Sequence, residues 1–275
     1  MLVVTYKRKF LLFTETYGMK LDNSPKTDVQ IESWLNTGLS PGTLPPDPST
    51  IFCLKKKVKT HVIDLGKSEN EIFGAFQKSV KYKINRAIRE GITFTVLDEP
   101  TDQDIEEFAV FFNAFAKTKK IMLCLPDKMK ALRDKKAFVI TMAKNEGKTL
   151  CCHGYIVDGN RAIMLYSASS RAGKDSTEKN CIGRANRLLH WESIVFFKEK
   201  GCQWYDFCGM SQDPNDKERQ GINEFKKGFG GFAADEIKVY KGFSLLGKLV
   251  ILISHLKWRK TPEYLNARTS LMSDP

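Results

Sequence analysis

The chain lacks the residue patterns that metal sites, disulfide frameworks and membrane spans require. Its seven cysteines show no CxxC spacing and lie mostly in apolar segments, so reduced and buried thiols are predicted. The four histidines form no HExxH motif, and no Ser-His-Asp arrangement can be built, so no metal site is predicted. No apolar run reaches the roughly 18 to 20 residues that a transmembrane helix needs.

The first residues, MLVVTYKRKFLLF, also lack the pattern of a secretory signal. Three basic residues interrupt the apolar ones, and no cleavage site of small residues follows. A cytoplasmic location is therefore expected, and the inner face of the plasma membrane is a candidate surface for peripheral contact.

Basic residues are abundant, with 44 Lys and Arg against 32 Asp and Glu, a net charge of +12. Such an excess favours phosphate-rich partners: nucleotide sugars, CoA, tRNA or an anionic membrane. A basic surface that serves only solubility is the alternative. The segment 51–91 holds ten basic and four acidic residues, half of the net charge.

Much of that charge lies on a predicted helix from Asn70 to Glu90. Its apolar residues recur at spacings of three and four, which is typical of one buried helical stripe. The polar stripe is a candidate site for a substrate diphosphate, and a solvated helical face is the competing interpretation. Its candidate residues are Lys81, Lys83, Asn85 and Arg86.

From Ile92 the patterns predict, in order, a strand, two helices, three antiparallel strands, a helix, a strand, a helix and a strand. Turn sequences at 145–148 and 158–160 predict the hairpins that join the three strands. The helix after the third strand is predicted from Arg184 to Lys200, following a polar loop. Residues 1–60 indicate an N-terminal arm or an abbreviated first subdomain, crossed by the proline-rich segment LSPGTLPPDPST.

The most informative stretch is CQWYDFCGMSQDPNDKERQGINEFKKGFGG, residues 202–231. It predicts a strand, a polar loop, a short helix and a glycine-rich exit. The strand brings Tyr205 and Asp206 towards its carboxyl end, where open α/β sheets bind ligands. The loop and helix then deliver Phe225 and Lys226 beside three glycines.

Together with LLHWESIVFFKEKG and KYKINRAIREG, this stretch resembles the Fem family, which builds peptidoglycan cross-bridges, and its FemAB-like acyltransferase relatives of the GNAT superfamily. The resemblance spans roughly residues 60–241. It implies a mixed α/β sheet that parts near its middle to admit an acyl donor. Residues 61–241 would form one complete GNAT-type domain, whereas Fem enzymes usually carry two.

The resemblance implies a role for Lys226, and the positions of other residues in the predicted elements indicate further roles. Lys226 would stabilise the oxyanion formed in acyl transfer. Asp206 would accept the proton of the attacking amine, or have a structural role instead. Four further residues would position the acceptor: Tyr166, Ser169, Tyr205 and Phe225.

The segment Asn180-Cys181-Ile182-Gly183-Arg184-Ala185 partly matches the GNAT turn Q/R-x-x-G-x-G/A, whose amides hold the CoA pyrophosphate. A glycine that only begins a helix is the alternative. Asn186 and His190 match the family pattern NxLLHW and would face the donor, although a hydrogen-bonded core histidine is the other interpretation of His190.

Two functions follow. The first is N-acyl transfer from acyl-CoA or aminoacyl-tRNA, used as a co-substrate without any tightly bound cofactor, to an amine of a phosphorylated cell-wall or polysaccharide precursor. The second is a noncatalytic, degenerate GNAT fold that binds RNA or an anionic membrane. Loss of transfer in Lys226→Ala would support the first.

The C-terminal segment GFSLLGKLVILISHLKWRK is apolar and closes with Lys257, Trp258, Arg259 and Lys260. Residues 243–260 could lie on anionic lipid with Trp258 at the interface, or form a helix that docks on the domain. The following TPEYLNARTSLMSDP is polar and is expected to fray.

Overall fold

The structure is a computed structural model, and it describes residues 2–18, 26–37, 50–171 and 173–269. The strands are β1 (Leu2–Arg8), β2 (Leu11–Tyr17), β3 (Val29–Asn36), β4 (Cys53–Asp64), β5 (Thr93–Leu97), β6 (Phe138–Asn145), β7 (Lys148–Val157), β8 (Arg161–Ser169), β9 (Trp204–Met210) and β10 (Phe232–Gly242). The helices are α1 (Glu69–Gly74), α2 (Lys78–Arg89), α3 (Asp102–Lys119), α4 (Pro126–Arg133), α5 (Ser176–Glu199), α6 (Lys217–Lys227), α7 (Leu245–Trp258) and α8 (Pro262–Thr269).

The element order predicted from Ile92 onwards is confirmed, from β5 through α3, α4 and the antiparallel strands to β10. Both predicted hairpins form. Asn145 pairs with Lys148 across the first one, and Glu146 and Gly147 in that turn have positive φ angles of 48° and 76°. This geometry suits a tight turn that follows the twist of the strands.

The helix predicted from Asn70 to Glu90 is two helices, α1 and α2, so that prediction is wrong in its continuity. Between them the backbone N–H of Gln77 donates to the carbonyl of Gly228 at 2.9 Å, and Phe76 turns into the core with 3% of its surface exposed. The apolar residues keep a helical spacing across this break, and periodicity alone therefore conceals it.

Helix α5 begins at Ser176, eight residues before the predicted start at Arg184. Asp175 caps it: the side chain accepts from the N–H of Glu178, and the Glu178 side chain accepts from the N–H of Asp175. A reciprocal cap of this kind satisfies two amides that the first turn would otherwise leave open. The same device begins α1 at Ser68 and α3 at Thr101.

The chain divides into two compact units. The first contains residues up to His61, Cys208–Phe225 and the chain from Phe232 onwards; the second contains Val62–Phe207 and Lys226–Gly231. In the first unit the strand order is β1-β2-β3-β10-β4, with β2 parallel to β3 and β10 antiparallel to β3. The predicted proline-rich loop lies, up to residue 49, outside the described residues.

In the second unit the strand order is β9-β8-β7-β6-β5, and β5 to β8 form an antiparallel series. Helices α3 and α5 cover opposite faces of this sheet. Gly154 of β7 faces Phe108 of α3, whereas its neighbours His153 and Tyr155 face α5. Successive residues of a strand point to opposite faces, so β7 separates the two helices.

Helix α7 docks on the first unit through one side. The Nε2 atom of His255 lies 3.2 Å from the carbonyl oxygen of Cys53, and the Trp258 ring packs against Tyr240 and under the Lys56 ammonium. Trp258 is therefore part of a packed contact, which corrects its predicted interfacial role. Within the described ranges, none of the helices is long and apolar enough to cross a bilayer.

The polar segment after α7 was expected to fray from residue 261, and this expectation is wrong for its first part. Pro262 opens helix α8, which continues to Thr269. A proline is favourable at the first helical position because that residue needs no amide hydrogen there. The remainder of the predicted frayed tail, residues 270–275, lies outside the described residues.

Substituting Gly247→Ala is expected to release α7 from its docking site. A Cβ atom at this position would lie 1.9 Å from the backbone oxygen of Asp28, a contact that only movement of the helix can relieve. We expect a loss of roughly 1 to 3 kcal/mol in unfolding free energy and faster amide hydrogen exchange in α7.

Gly221→Ala is the matched control, since Gly221 also lies in a helix of the first unit and nothing approaches its Cβ position within 4 Å. It should be neutral or slightly stabilising because alanine favours the helix. Equal exchange rates in α7 for both variants would contradict the docking argument.

Candidate active site

Strands β8 and β9 part after a short common stretch. Their parallel pairing covers three register pairs, from Arg161 with Trp204 to Ile163 with Asp206. Strand β8 then continues for six residues to Ser169, and its stretch 164–167 is half-buried. The parted sheet that the resemblance implied is therefore present, and it leaves part of β8 open to a ligand.

The segment that carries Lys226 is held in place by glycines with positive φ. At Gly231, φ is 75° and a Cβ atom would lie 2.3 Å from the backbone oxygen of Val62; at Gly230, φ is 69° and a Cβ atom would meet Ala75 at 3.0 Å. Only glycine fits such an approach without strain. The backbone after Lys226 therefore packs closely against the backbone of Val62 and Ala75.

Phe229 anchors the same segment from the other side. Its ring is buried, and its centroid lies 5.2 Å from each of the rings of Phe76, Phe207 and His190. Its backbone N–H donates to the carbonyl of Lys226 at 3.1 Å. Lys226, of which 6% is exposed, therefore has little freedom to move its backbone.

A chain of buried hydrogen bonds runs beneath this segment. It joins Asn186 Oδ1 to His153 Nε2 at 2.9 Å, His153 Nδ1 to the Tyr155 hydroxyl at 2.9 Å, the two tyrosine hydroxyls at 2.8 Å, and Tyr205 to His190 Nδ1 at 2.7 Å. The two histidine rings lie 4.4 Å apart. Buried polar groups must be satisfied in this way, because an unpaired one is costly.

The two histidines of this hydrogen-bond chain, His153 and His190, are neutral near pH 7. Burial lowers the pKa of His153 to about 4, against the opposing effect of its hydrogen bond to Asn186. Burial also lowers the pKa of His190 well below its ordinary value, and His153, Lys226 and Arg187 lower it further. A neutral imidazole carries one hydrogen, so each ring has one donor and one acceptor nitrogen.

Several cationic side chains interact electrostatically near His190. Repulsion from Arg187 lowers the pKa of Lys83, and burial together with Arg171 lowers the pKa of Arg187. Lys226 and Arg187 both act on His190. Like charges that lower one another's pKa are unfavourable until an anion neutralises them, so this cluster is a candidate phosphate site.

Asp206 lies within the sheet and pairs with Arg161, whose Nη1 donates to Asp206 Oδ2 at 3.1 Å. Both side chains are almost fully buried, and Arg161 also lies 3.7 Å from Asp158. A buried carboxylate that neutralises a buried guanidinium is costly to displace. This geometry favours the structural alternative for Asp206 over a role as proton acceptor.

The predicted acceptor-binding residues occupy different environments. Tyr205 is fully buried in the hydrogen-bond chain, which corrects its prediction as a substrate contact. The Tyr166 hydroxyl accepts from the N–H of Leu125 at 3.1 Å, and its ring packs on Phe112 at 4.8 Å. Ser169 is half-buried at the end of β8. Phe225 is half-buried on α6.

On α2, Lys81 donates to the carbonyl of Gly74 at 2.6 Å, Asn85 is exposed, and Arg86 pairs with Glu90 at 2.9 Å. Of the four predicted residues, Lys83 is the one that joins the cation cluster through Arg187. The helix therefore brings a smaller part of its charge to the site than its sequence indicated.

The predicted pyrophosphate turn does not form. Residues 180–185 lie inside α5, so their amides are engaged in the helix, and the helix begins instead at Ser176. Asn180 is exposed and Gly183 is half-buried. Ala185 is buried. Arg184 Nε and Nη2 donate to the two Glu90 oxygens at 2.7 and 2.8 Å, which leaves the guanidinium committed to an ion pair.

The sequence reasoning missed His153, Tyr155 and Arg187. His153 and Tyr155 stand two residues apart in an apolar strand, so they point to the same face. That spacing is the available signal for a polar cluster inside a core. Asn186 and His190, predicted to face a donor, are the two ends of this cluster on α5.

Comparisons with known proteins agree with this geometry. Residues 114–237 match the FemAB family, a range that includes β8, α5, β9 and α6. This part of the chain is similar to the FemAB family. A lipid II:glycine glycyltransferase of Staphylococcus epidermidis is 26% identical over 140 residues, or 50% of this chain and 32% of the relative. One of Staphylococcus haemolyticus is 30% identical over 104 residues, or 38% and 23%.

The chain thus spans a third or less of the length of these curated relatives. Among solved structures, a crystal structure of FemX shares a TM-score of 0.61 at 11% identity, covering 86% of this chain and 83% of FemX. L-PGS from Bacillus licheniformis shares a TM-score of 0.53 at 13% identity, covering 92% and 85%. The similarity to FemX confirms the predicted mixed α/β fold, and the short pairing of β8 with β9 agrees with the predicted parting of the sheet.

Protonation of His153 is expected to destabilise the fold in acid. The ordinary pKa of 6.5 applies to the unfolded chain, whereas the folded value is about 4. The unfolded state therefore binds more protons between these values, and unfolding free energy falls as the pH falls from 6.5 to about 4, by up to about 3 kcal/mol.

Urea unfolding at pH 7 and pH 5 measures this effect. His153→Gln should reduce the difference between the two pH values, whatever its effect on stability at pH 7. His255→Gln, in the other unit, is the control and should retain the wild-type difference. An unchanged difference in His153→Gln would show that this residue does not resist protonation.

Proposed function

We propose that this protein transfers an aminoacyl group to an amine of a phosphorylated peptidoglycan precursor. The observation that carries the proposal is Lys226, a lysine held in a buried position by Phe229 and Gly231, in a FemAB-like chain with a parted sheet. The curated relatives are named lipid II:glycine glycyltransferases, and a lipid-linked precursor is therefore the proposed acceptor.

The chemistry assigns Lys226 an electrostatic role. The acceptor nitrogen attacks the carbonyl carbon of the donor ester, and the carbonyl electrons move to oxygen to form a tetrahedral oxyanion. Collapse of that intermediate breaks the ester bond, the nitrogen loses its proton and the leaving oxygen gains one. A fixed ammonium beside the oxyanion stabilises the transition state because it does not need to reorient as charge develops.

The cation cluster supplies the proposed phosphate site. Arg187 repels both Lys83 and Arg171, and a diphosphate bound at Arg187 would offset that repulsion. Arginine can contact two phosphate oxygens at once, whereas lysine acts as a point charge. This supports a phosphorylated acceptor over a neutral one.

Aminoacyl-tRNA is the proposed donor, and acyl-CoA is the alternative. A GNAT enzyme that uses CoA needs free amides at the start of its donor helix, but residues 180–185 are inside α5. The net charge of +12 suits a polyanionic donor such as tRNA. Both arguments support the tRNA-dependent reaction without selecting the amino acid.

Lys226→Ala is expected to reduce transfer by about a hundred- to thousandfold, because one preorganised interaction with an oxyanion is worth roughly 3 to 4 kcal/mol. The assay follows radiolabel from bulk tRNA, charged with a mixture of amino acids, to lipid II in detergent micelles. Binding of lipid II, measured separately, should persist in the variant.

Lys227→Ala is the matched control, since Lys227 is the exposed neighbour in the same helix. It should transfer at nearly the wild-type rate. A wild-type chain that binds tRNA without any transfer would instead support the noncatalytic alternative.

We further propose that α7 lies against an anionic membrane. Its docked side includes Gly247 and Ile251, and the opposite side carries the exposed residues Leu245, Leu246, Leu249, Leu252, Ile253 and Leu256. Exposed residues of this size on one helix side are rare on a soluble surface without a partner. A lipid-linked acceptor would explain why this partner is a bilayer.

Charge supports the same partner. No acidic residue lies in α7, and the exposed cations Lys257, Arg259 and Lys260 follow the apolar side at its carboxyl end. Apolar insertion and attraction to anionic lipid add together, and each basic residue near the surface contributes about 1 kcal/mol.

The double substitution Leu249→Glu with Ile253→Glu should lower vesicle binding at least about tenfold, since burying one such side chain is worth roughly 1.5 to 3 kcal/mol. Co-sedimentation with phosphatidylcholine vesicles that contain about one third phosphatidylglycerol measures it. Val110→Glu with Ile121→Glu, exposed apolar residues of the other unit, is the control. Unchanged vesicle binding in the α7 variant would contradict the proposed membrane contact. Sedimentation of the wild type without vesicles, through self-association, would also contradict it.

A further inference from the structure

Four strands of the first unit begin or end at one edge of their sheet. The β1–β2 turn closes at the pair of Arg8 and Leu11, and Phe13, two residues later, pairs with Val29 at the start of β3. Val29 also pairs with Gly242, the last residue of β10. The ends of β1 and β10 and the starts of β2 and β3 are therefore neighbours.

Strand β4 and helix α7 begin at the same edge. The N–H of Gly242 donates to the carbonyl of Phe52, the residue before β4, at 2.9 Å. The backbone oxygen of Asp28 accepts from the N–H of Phe243 at 2.9 Å and approaches Gly247 so closely that no Cβ atom fits there. The segments that connect these elements therefore lie close together.

Large apolar side chains are exposed on three of these connecting segments. Phe10 is 75% exposed in the β1–β2 turn, Ile51 is 67% exposed before β4, and Leu245 is 86% exposed at the start of α7. Phe243 is exposed as well. We call these four residues the apolar rim. Single exposed apolar residues are normal on a soluble protein, whereas several at one edge mark a contact surface.

Cations surround the apolar rim. The three residues before Phe10, at positions 7–9, are basic and exposed, and Lys26 is exposed before β3. Asp28, the acidic residue closest to Lys26 in the sequence, turns its carboxylate to the N–H of Leu12 at 2.8 Å. This edge therefore combines apolar tips with positive charge, a combination that suits the boundary between acyl chains and anionic headgroups.

Lys9 occupies a backbone conformation that suits glycine. Its φ is 58°, at the first central position of the two-residue turn between Arg8 and Leu11. Hairpin turns with a positive φ at this position favour glycine, and other residues adopt that conformation at a cost. A cationic side chain is therefore present where the backbone alone favours none, which agrees with a role for its charge.

We propose that the apolar rim inserts into the headgroup layer of an anionic membrane, as a contact of the first unit in addition to the exposed side of α7. Phe10 and Ile51 enter the boundary with the acyl chains, and the cations beside them contact lipid phosphates. The choice of a bilayer rests on the membrane contact proposed for α7, because that helix begins within the rim at Leu245. One bilayer can cover both surfaces.

The double substitution Phe10→Glu with Ile51→Glu tests this insertion. Co-sedimentation with phosphatidylcholine vesicles that contain about one third phosphatidylglycerol should show at least about tenfold weaker binding. Both side chains are exposed, so the fold should persist, and melting temperatures check this. Val110→Glu with Ile121→Glu is the control and should bind as the wild type does. Unchanged binding by the rim variant would overturn the proposal.

Lys9→Gly separates the charge from the geometry of the turn. Glycine suits the positive φ, so the melting temperature should not fall. Affinity for the anionic vesicles should fall about fivefold, the contribution of one basic residue near such a surface. Equal affinities of the variant and the wild type for these vesicles would contradict the headgroup contact.

Phe10→Trp measures insertion without removing the apolar side chain, and it serves if the glutamate variant fails to fold. Its fluorescence, taken as the difference from the wild type, should shift to the blue on anionic vesicles and be quenched by brominated phosphatidylcholine. Val110→Trp is the matched control, since Val110 is exposed to the same degree, and it should show neither effect. A Phe10→Trp signal that brominated lipid does not quench would show that the rim stays outside the bilayer.

A second copy of this chain as the occupant gives a different result. Light scattering without vesicles should find the wild type as a single copy. A wild-type assembly that dissociates in Phe10→Glu with Ile51→Glu would show that the rim binds protein, and it would overturn the bilayer as its partner.

This contact can fail separately from the other proposals. If Leu249→Glu with Ile253→Glu lowers vesicle binding and the rim variant does not, the rim proposal alone is wrong. If the rim variant lowers binding and the α7 variant does not, the rim contact stands and the contact proposed for α7 is wrong. Vesicle binding needs neither donor nor acceptor, so a failure of the proposed transfer leaves this result unaffected.

Discussion

The site depends on a close backbone contact between the glycine-rich exit and the strand that precedes α1. A Cβ atom at Gly231 would stand 2.3 Å from the Val62 oxygen, so this approach is open to glycine alone. Five residues earlier in the same segment lies Lys226. The contact fixes the direction in which the lysine enters the core, and Phe229 prevents the segment from turning about it.

The surroundings of Lys226 explain how a buried lysine can have the role in transfer that is proposed for it. A charged group in an apolar core is costly unless polar partners or solvent remain within reach. Here the positive charge of Lys226 acts on the neutral ring of His190, whose Nδ1 lies 2.7 Å from the Tyr205 hydroxyl. Rigid surroundings hold the charge in one place, and such preorganisation is what the oxyanion stabilisation proposed for Lys226 requires.

Some parts of this site could be predicted from the sequence, and others could not. Strand and helix order from Ile92, both hairpins and the strand-loop-helix-glycine stretch around Lys226 followed from local patterns. The break before Gln77 did not, because a tertiary hydrogen bond to Gly228 interrupts a continuous apolar stripe. The start of α5 was recoverable from Asp175 and Glu178, a capping pair that the resemblance to a GNAT turn concealed.

Ion pairing was harder to foresee than structure, because it depends on which charges meet across elements distant in sequence. Arg184 and Arg86 both turn to Glu90, so one acidic residue withdraws two predicted ligands from the site. Lys83 and Arg187 carry the same charge, and their repulsion lowers the Lys83 pKa. The proposed anion site therefore includes Lys83 and Arg187, whereas Arg86 and Arg184 are paired with Glu90.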